Sequence, residues 1–397
     1  MIRHIYRILC LLAFVCPLRS LALPADTTVS FTIFYPGPDI YELEGHAALH
    51  ITTPQADYAV SFGTFDFEQP NFVYRFVKGE TDYWAAAAPW QYFKDAYTRQ
   101  GRRIVDLQLN LTPQQKARLI ELSLDNLRPE NRVYRYNYVK DNCATRPLGL
   151  LKKAIAPDSL ALAQVTNIDK EHLTTYRNVM RHFHRNYPWY QFGIDLALGS
   201  GIDYPIGTGQ QAFAPVLLAE QLQGATIDGK PLVEHSTEIN PGATDATEGP
   251  TPWLLSPMSI AMWTLAVALG LTIKDVKRLK VSRWFDSLLF GIFGLAGCLL
   301  TFLIFISVHE ATSPNYLYLW LNPLCLVPAI FIWIKKLKNA VLCYQFVNFA
   351  LVFAMAACWP WLPQSANAAF IPLIICDLMR SASFIYINYF KRNTKTA

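Results

Sequence analysis

The sequence predicts two units of different class: an α+β domain exported across a membrane, followed by an α-helical bundle embedded in that membrane. Three observations carry this. Residues up to about 250 have the mixed make-up of a globular domain, whereas almost everything after Trp253 is apolar. The first 25 residues have the composition of a secretory signal. The basic residues of the apolar half fall in alternate loops. The totals agree with such a mixture, since a chain of 397 residues is 52% hydrophobic yet still 16% charged. The net charge of +5 is small, and no face or tail carries the dense basic stripe that nucleic acid requires, so nucleic acid is excluded as a partner.

The signal, residues 1–25, opens with Arg3, His4 and Arg7, continues with an apolar core from Ile8 to Cys16, and offers small residues at Ser20, Ala22 and Ala25 for cleavage. A first transmembrane anchor is the alternative, but the core is short and Pro17 and Arg19 interrupt it. Phe14-Val15 before Cys16 is a poor match for a lipobox.

Residues 26–243 form the expected exported domain, joined by a linker at 244–252 to the membrane part. Val29 to Tyr35 reads as a strand that turns at Pro36-Gly37-Pro38. Gly45 to Thr52 alternates so that His46, Ala48 and His50 share one strand face, and Asp57 to Phe67 reads as its partner. Thr112-Pro-Gln-Gln115 is a capping box with proline at the first helical position, opening a helix with Ala117, Ile120, Leu124 and Leu127 on one face. Tyr134 to Lys140 is an extended run in which Tyr134, Tyr136 and Tyr138 read as strand packing. Asp141 and Asn142 then serve as N-cap types, with Cys143 at the mouth of a helix. Pro147 cannot sit deep in a helix, so the helix starts at or after Cys143, or bends there.

Five runs are long enough for about 30 Å of hydrocarbon, which takes roughly 20 residues: 253–272, 284–308, 316–334, 340–361 and 367–390, within a membrane domain of 253–390. The first loop holds Lys274, Lys277, Arg278, Lys280 and Arg283, the third Lys335, Lys336 and Lys338, and the tail at 391–397 Lys391, Arg392 and Lys395. The second and fourth loops carry no Lys or Arg. The positive-inside rule makes the basic loops cytoplasmic and puts the preceding domain in the periplasm of a bacterial inner-membrane protein. Tryptophans such as Trp253, Trp284, Trp333 and Trp361 sit near span ends, as interfacial belts do. Asp377 and Arg380, three apart on the last span, read as a mutually neutralised pair, or as part of a path for lipid or substrate.

The cysteines narrow the chemistry. Of eight, Cys10 and Cys16 lie in the signal and five lie in the apolar half, which leaves Cys143 alone in the exported domain. That excludes a disulfide framework and a cysteine-rich zinc site there, and no metal or cofactor is expected. A lone thiol is either a buried small hydrophobe or a nucleophile. At a helix mouth it meets free N–H groups and the positive end of the dipole, and Arg146 adds positive charge, all of which favour thiolate. A thiol nucleophile needs a base, and His46 on its strand can supply one, although alone it reads equally as a core histidine. His50 reads as structural. A third group should hold the other imidazole nitrogen; Ser61 on the neighbouring strand is the first choice, with Asp57 behind it.

Histidine on a strand before cysteine at a helix start reverses the order of the papain fold and matches its circularly permuted relatives. In this respect the chain resembles the permuted NlpC/P60-like group. A longer resemblance rests on Gly45-His-Ala-Ala-Leu49, Ser61-Phe-Gly-Thr-Phe-Asp-Phe67, Phe76-Val-Lys-Gly79, Tyr136-Asn-Tyr-Val-Lys-Asp-Asn-Cys-Ala-Thr-Arg146 and Asp195-Leu-Ala-Leu-Gly199 through Asp203. Together these are similar to the periplasmic domain of unknown-function family 4105, which includes lipoprotein N-acyltransferases of the Bacteroides type. The resemblance implies a papain-like α+β fold and a Cys143/His46 transacylase that takes an acyl chain from phospholipid and places it on the N-terminal cysteine amine of a diacylated lipoprotein. Two other classes stay open: a periplasmic cysteine peptidase or amidase of NlpC/P60 type, for which one anchor would suffice, and a non-catalytic membrane scaffold.

Overall fold

A computed structural model describes residues 23–155, 159–243 and 249–393; the signal expected at 1–25 therefore lies almost wholly outside the described residues. The first half is built on an antiparallel sheet of seven strands, β1 (Thr28–Phe34), β2 (His46–Thr52), β3 (Asp57–Thr64), β4 (Asp82–Pro89), β5 (Ile104–Leu109), β6 (Val133–Arg135) and β10 (Val233–Asn240). Their order across the sheet is β10-β5-β1-β2-β3-β4-β6. Three two-residue strands, β7 (Leu160–Ala161), β8 (Thr226–Ile227) and β9 (Lys230–Pro231), make a small second sheet.

Alternation decides which face each side chain takes. Phe31 and Ile33 of β1, Leu49 and Ile51 of β2, Val60 and Phe62 of β3 and Leu107 of β5 bury one face under three helices: α3 (Pro113–Leu127), α4 (Thr145–Ala154) and α8 (Pro215–Gln223). The opposite face carries Phe34, Ala48 and Ala59 under Trp90, where α2 (Trp90–Arg99) crosses. Three further helices, α5 (Tyr176–Phe183), α6 (Pro188–Ala197) and α7 (Thr208–Gln211), follow α4, and α1 (Phe72–Lys78) lies between β3 and β4.

The expected strands are present to within a few residues. The capping box is formed, with the Thr112 hydroxyl accepting from Gln115 N–H and the Gln115 side chain accepting from Thr112 N–H. The buried face of α3 is rotated from the expected one, however. Leu119, Ile120 and Ser123 point inward, and Leu124 is exposed. Ser123 is tolerated inside because its hydroxyl donates to Leu119 O at 2.7 Å. The extended run expected over 134–140 is also different. β6 stops at Arg135, and residues 137–141 form a turn closed by reciprocal main-chain bonds between Asn137 and Asp141. The Asn137 side chain satisfies Val139 and Lys140 N–H groups, which favours the turn over a strand.

In the second half four helices are long and apolar enough to cross a membrane: α9 (Pro257–Arg278), α10 (Arg283–Phe305), α12 (Lys338–Cys358) with its flanking turns, and α13 (Phe370–Asn393). The run expected as a third spanning helix, 316–334, is broken into short turns and a six-residue helix, α11 (Leu326–Phe331). It still runs from the side of the exported domain, where Tyr316 N–H donates to Gln364, to the opposite side, where Trp333 Nε1 donates to Ser287. Irregular backbone at membrane depth needs cover by protein. Gly297 of α10 provides it, since a Cβ there would lie 2.3 Å from the Asn322 carbonyl carbon. Arg380 does not pair with Asp377. It is held by Asp275 at 2.7 Å and Asp286 at 2.6 Å, while Asp377 is bonded by Asn348 and Ser381. A helix turns about 100° per residue, so side chains three apart diverge enough to serve different neighbours.

The exported domain sits against one end of this bundle. Gly199 and Ser200 N–H donate to Ala311 O and Pro314 O, Asn315 donates to Leu196 O, and Val308 N–H to Lys78 O. Asp195, fully buried, is shared by Arg177, Arg181 and Asn367. The Asp195-to-Asp203 segment is thus a docking element.

Candidate active site

Cys143 occupies the turn just before α4, with Ala144 as the cap residue and Thr145 as the first helical residue. Pro147 is consequently third in the helix, where its missing N–H costs no intrahelical bond. The turn is tied by Asn142, whose Oδ1 accepts from Ala144 N–H and Thr145 N–H at 2.9 Å each. Its Nδ2 donates to Tyr138 O and Phe213 O, both at 2.8 Å. One buried side chain thereby caps the helix and pins the turn to the neighbouring loop.

His46 begins β2, opposite Phe34 of β1. The β2–β3 ladder runs only from Ala48↔Ser61 to Thr52↔Asp57, and the Ala47 main chain beyond it lies close to the Cys143 thiol. Chain positions 46 and 143 are thereby brought together. His46 Nε2 and Ser61 Oγ are hydrogen-bonded at 2.8 Å, and the ring lies beside the stacked Phe34 and Tyr97 rings, its centroid 6.1 Å from each. Asp57 has no part in this contact. It is bonded to His50 Nε2 at 2.8 Å, while His50 Nδ1 meets Asp106 at 3.2 Å and the ring stacks on Trp90 at 4.1 Å. Burial opposes charge on His50, but the two carboxylates outweigh it and raise its pKa. His50 is a clamp between three strands, on the same sheet face as His46 but with its own carboxylate partners.

The thiolate expected at the helix mouth is not the resting form. Burial pushes the Cys143 thiol up to about 11, and the opposing bonds from Ala47 N–H and the Tyr136 hydroxyl are too weak to reverse this. Arg146 does not help. Its guanidinium is taken bidentately by Asp141 at 2.8 and 2.6 Å and lies over the Tyr134 ring. His46 is driven the other way, down to about 3, by burial and then by the Arg102 charge. Arg102, almost wholly buried, is bonded to Glu42 at 2.7 Å and to the Tyr35 and Phe34 carbonyls. Thiol and imidazole are thus each neutral at rest.

Two groups at this site are absent from the expected set. Tyr136, expected as strand packing, instead places its buried hydroxyl close to Cys143. Gly63 admits its ring: the glycine has φ of 84°, and a Cβ would lie 2.7 Å from Tyr136 Cε2. Glu44, buried two residues before His46, is bonded to His184 Nε2 at 2.7 Å. The pairing Tyr41-Glu-Leu-Glu-Gly-His46 was a local signal for Glu44; His184 carries none. The only cluster of the described residues with metal-like spacing, Asp169, Glu171 and His172, lies elsewhere and is largely exposed.

Residues 18–182 match the Lnb N-terminal periplasmic domain, and residues 250–392 match the Lnb transmembrane domain. No curated protein and no solved structure matches the chain.

Proposed function

We infer the function of this chain from the family it belongs to, which joins an Lnb periplasmic domain to an Lnb transmembrane domain. The protein is an acyltransferase of the bacterial inner membrane that moves an acyl chain from phospholipid to the N-terminal cysteine amine of a diacylated lipoprotein, through a thioester on Cys143. The observation that carries this reading is a buried Cys143 thiol at the start of α4 lying beside Ala47, the residue that follows a His46 whose Nε2 is engaged by Ser61. Docking of that domain on a membrane bundle supports substrates that reside in the bilayer, and makes a wall peptidase the weaker alternative. Histidine on a strand before cysteine at a helix start supports a circularly permuted, NlpC/P60-like version of the papain fold.

With Nε2–H donating to Ser61, His46 Nδ1 is the acceptor for the thiol proton. Because both partners rest neutral, the proton moves as the sulfur attacks the ester carbonyl. The S–C bond forms, the ester C–O bond breaks, and the proton passes from His46 to the departing lysophospholipid hydroxyl. The lipoprotein amine then attacks the thioester. A C–N bond forms, the C–S bond breaks, and the amine's proton returns through His46 to the sulfur. Tyr136, whose hydroxyl lies close to the thiol, would donate to the oxyanion that forms beside it.

The test is intact-protein mass spectrometry after mixing purified protein with phospholipid in detergent. An added acyl mass is expected, released by neutral hydroxylamine and absent from Cys143→Ala and His46→Ala. A diacylated lipopeptide added afterwards should remove it and gain it as an amide. Normal turnover in Cys143→Ala would end thiol catalysis as an explanation, and product formed only when both substrates are present together would replace the thioester by direct transfer.

A further inference from the structure

The apolar surface of α1 lies where the lipid-facing surface of α10 ends. Tyr74 packs edge-on against Phe302, Ser307 Oγ donates to Val77 O, and His309 Nε2 is bonded to Phe76 O. These bonds hold the short helix against the top of a spanning helix. Around them, Val73 is 73% exposed, Phe67 58% and Phe76 49%, and Phe305 and Val308 of the adjoining α10 end are likewise exposed. A protein surface in water rarely leaves so much contiguous apolar area uncovered. Its continuity with the lipid-facing side of α10 gives it one occupant, the outer leaflet of the bilayer, in the manner of an interfacial helix.

From that surface a line of aromatic rings leads inward. Phe67 packs on Phe65 with centroids 4.7 Å apart, Phe65 on Tyr83 at 5.2 Å, and Tyr83 stacks on Tyr136 at 4.5 Å. Tyr136 is the residue whose hydroxyl lies close to Cys143. We propose that Phe67, Val73 and Phe76 insert into the outer leaflet, and that the ring series from Phe67 through Phe65 and Tyr83 guides a phospholipid acyl chain so that its ester reaches Cys143. The guiding role rests on the acyl-transfer reading above; the insertion of α1 does not. Aromatic and aliphatic side chains suit this task because they match the acyl chain without binding it by directed bonds that would oppose release.

Two measurements on the full-length protein test it. The first compares Cys143 acylation by vesicles of phosphatidylethanolamine and phosphatidylglycerol with acylation by p-nitrophenyl acetate, which needs no lipid surface. In the double variant Phe67→Ser, Val73→Ser the ratio of vesicle rate to soluble-ester rate should fall at least tenfold; an unchanged ratio overturns the guiding role. The second places a benzophenone amino acid at position 73 in the same vesicles. A crosslink to phospholipid is expected. No lipid adduct, or capture only of an added diacylated lipopeptide, overturns insertion into the leaflet. If wild-type protein is acylated by neither ester, the acyl-transfer reading fails and the guiding role with it, while the crosslink still decides whether α1 enters the bilayer.

Discussion

Cys143 and His46 have opposed shifts with one shared cause, removal from water, and this sets how the thiol should respond to pH. A thiol whose pKa is raised holds its proton more tightly, so the thiolate is a small fraction at neutral pH and grows tenfold per pH unit until the pH passes about 11. Alkylation of Cys143 by iodoacetamide, followed by peptide mass spectrometry, should therefore climb about tenfold per unit from roughly pH 6 to roughly pH 10 without levelling. A plateau near neutrality would instead show a thiolate stabilised by imidazolium, and would contradict a neutral thiol and imidazole. His50, two strand repeats away, has the reverse environment. Its two carboxylate partners raise its pKa where Arg102 helps to lower that of His46. Two histidines of one strand face are thus separated by their neighbours into a neutral ring and a clamp.

Among the elements, the turn before α4 is held by one side chain. Asn142 is 4% exposed and bonds main-chain groups of the helix start, of the preceding turn and of Phe213. Asn142→Ala removes the cap and leaves buried carbonyl and N–H groups unpaired, a cost of about 2 kcal/mol. For a domain of this size that corresponds to a fall in melting temperature of about 4–8 °C. Acylation of Cys143 should fall further than stability accounts for, because the sulfur loses its fixed position beside Ala47. A variant that melts lower but acylates at the normal rate below its transition would show that the turn is held by other contacts.

For the whole molecule, Asp195 is the charged centre of the contacts that join the two halves. It is fully buried and shared by Arg177 and Arg181 at 2.9 and 3.0 Å, with Asn367 of the fourth membrane loop as its third partner. Removing one member of a buried ionic group costs about 3–5 kcal/mol, because the remaining charges stay desolvated. When the 244–252 linker is cut by a protease, the wild-type exported fragment should stay with the membrane domain through a low-salt wash. The Asp195→Ala fragment should be washed away. Retention of that fragment would mean that the loop contacts around Ala311 and Pro314 suffice alone.

Patterns that repeat along the chain were legible in the sequence alone. Alternation located β1, β2 and β3, the capping box located α3, apolar length located four spanning helices, and Cys143 and His46 stood out by residue type and setting. These features depend on neighbours within a few positions, and local sterics and hydrophobic periodicity determine them. What depends on distant residues was decided only in the tertiary structure. The protonation of Cys143 is one example, since a dipole and an arginine are local signals whereas burial under Ala47, Tyr136 and Glu44 is not. Others are the transfer of Asp57 to His50, the exchange of Asp377 for Asp275 and Asp286 as the partners of Arg380, and the broken 316–334 segment that Gly297 shelters. In each case the deciding energy is desolvation or close packing between groups far apart in sequence, and that energy exists only once the chain has folded.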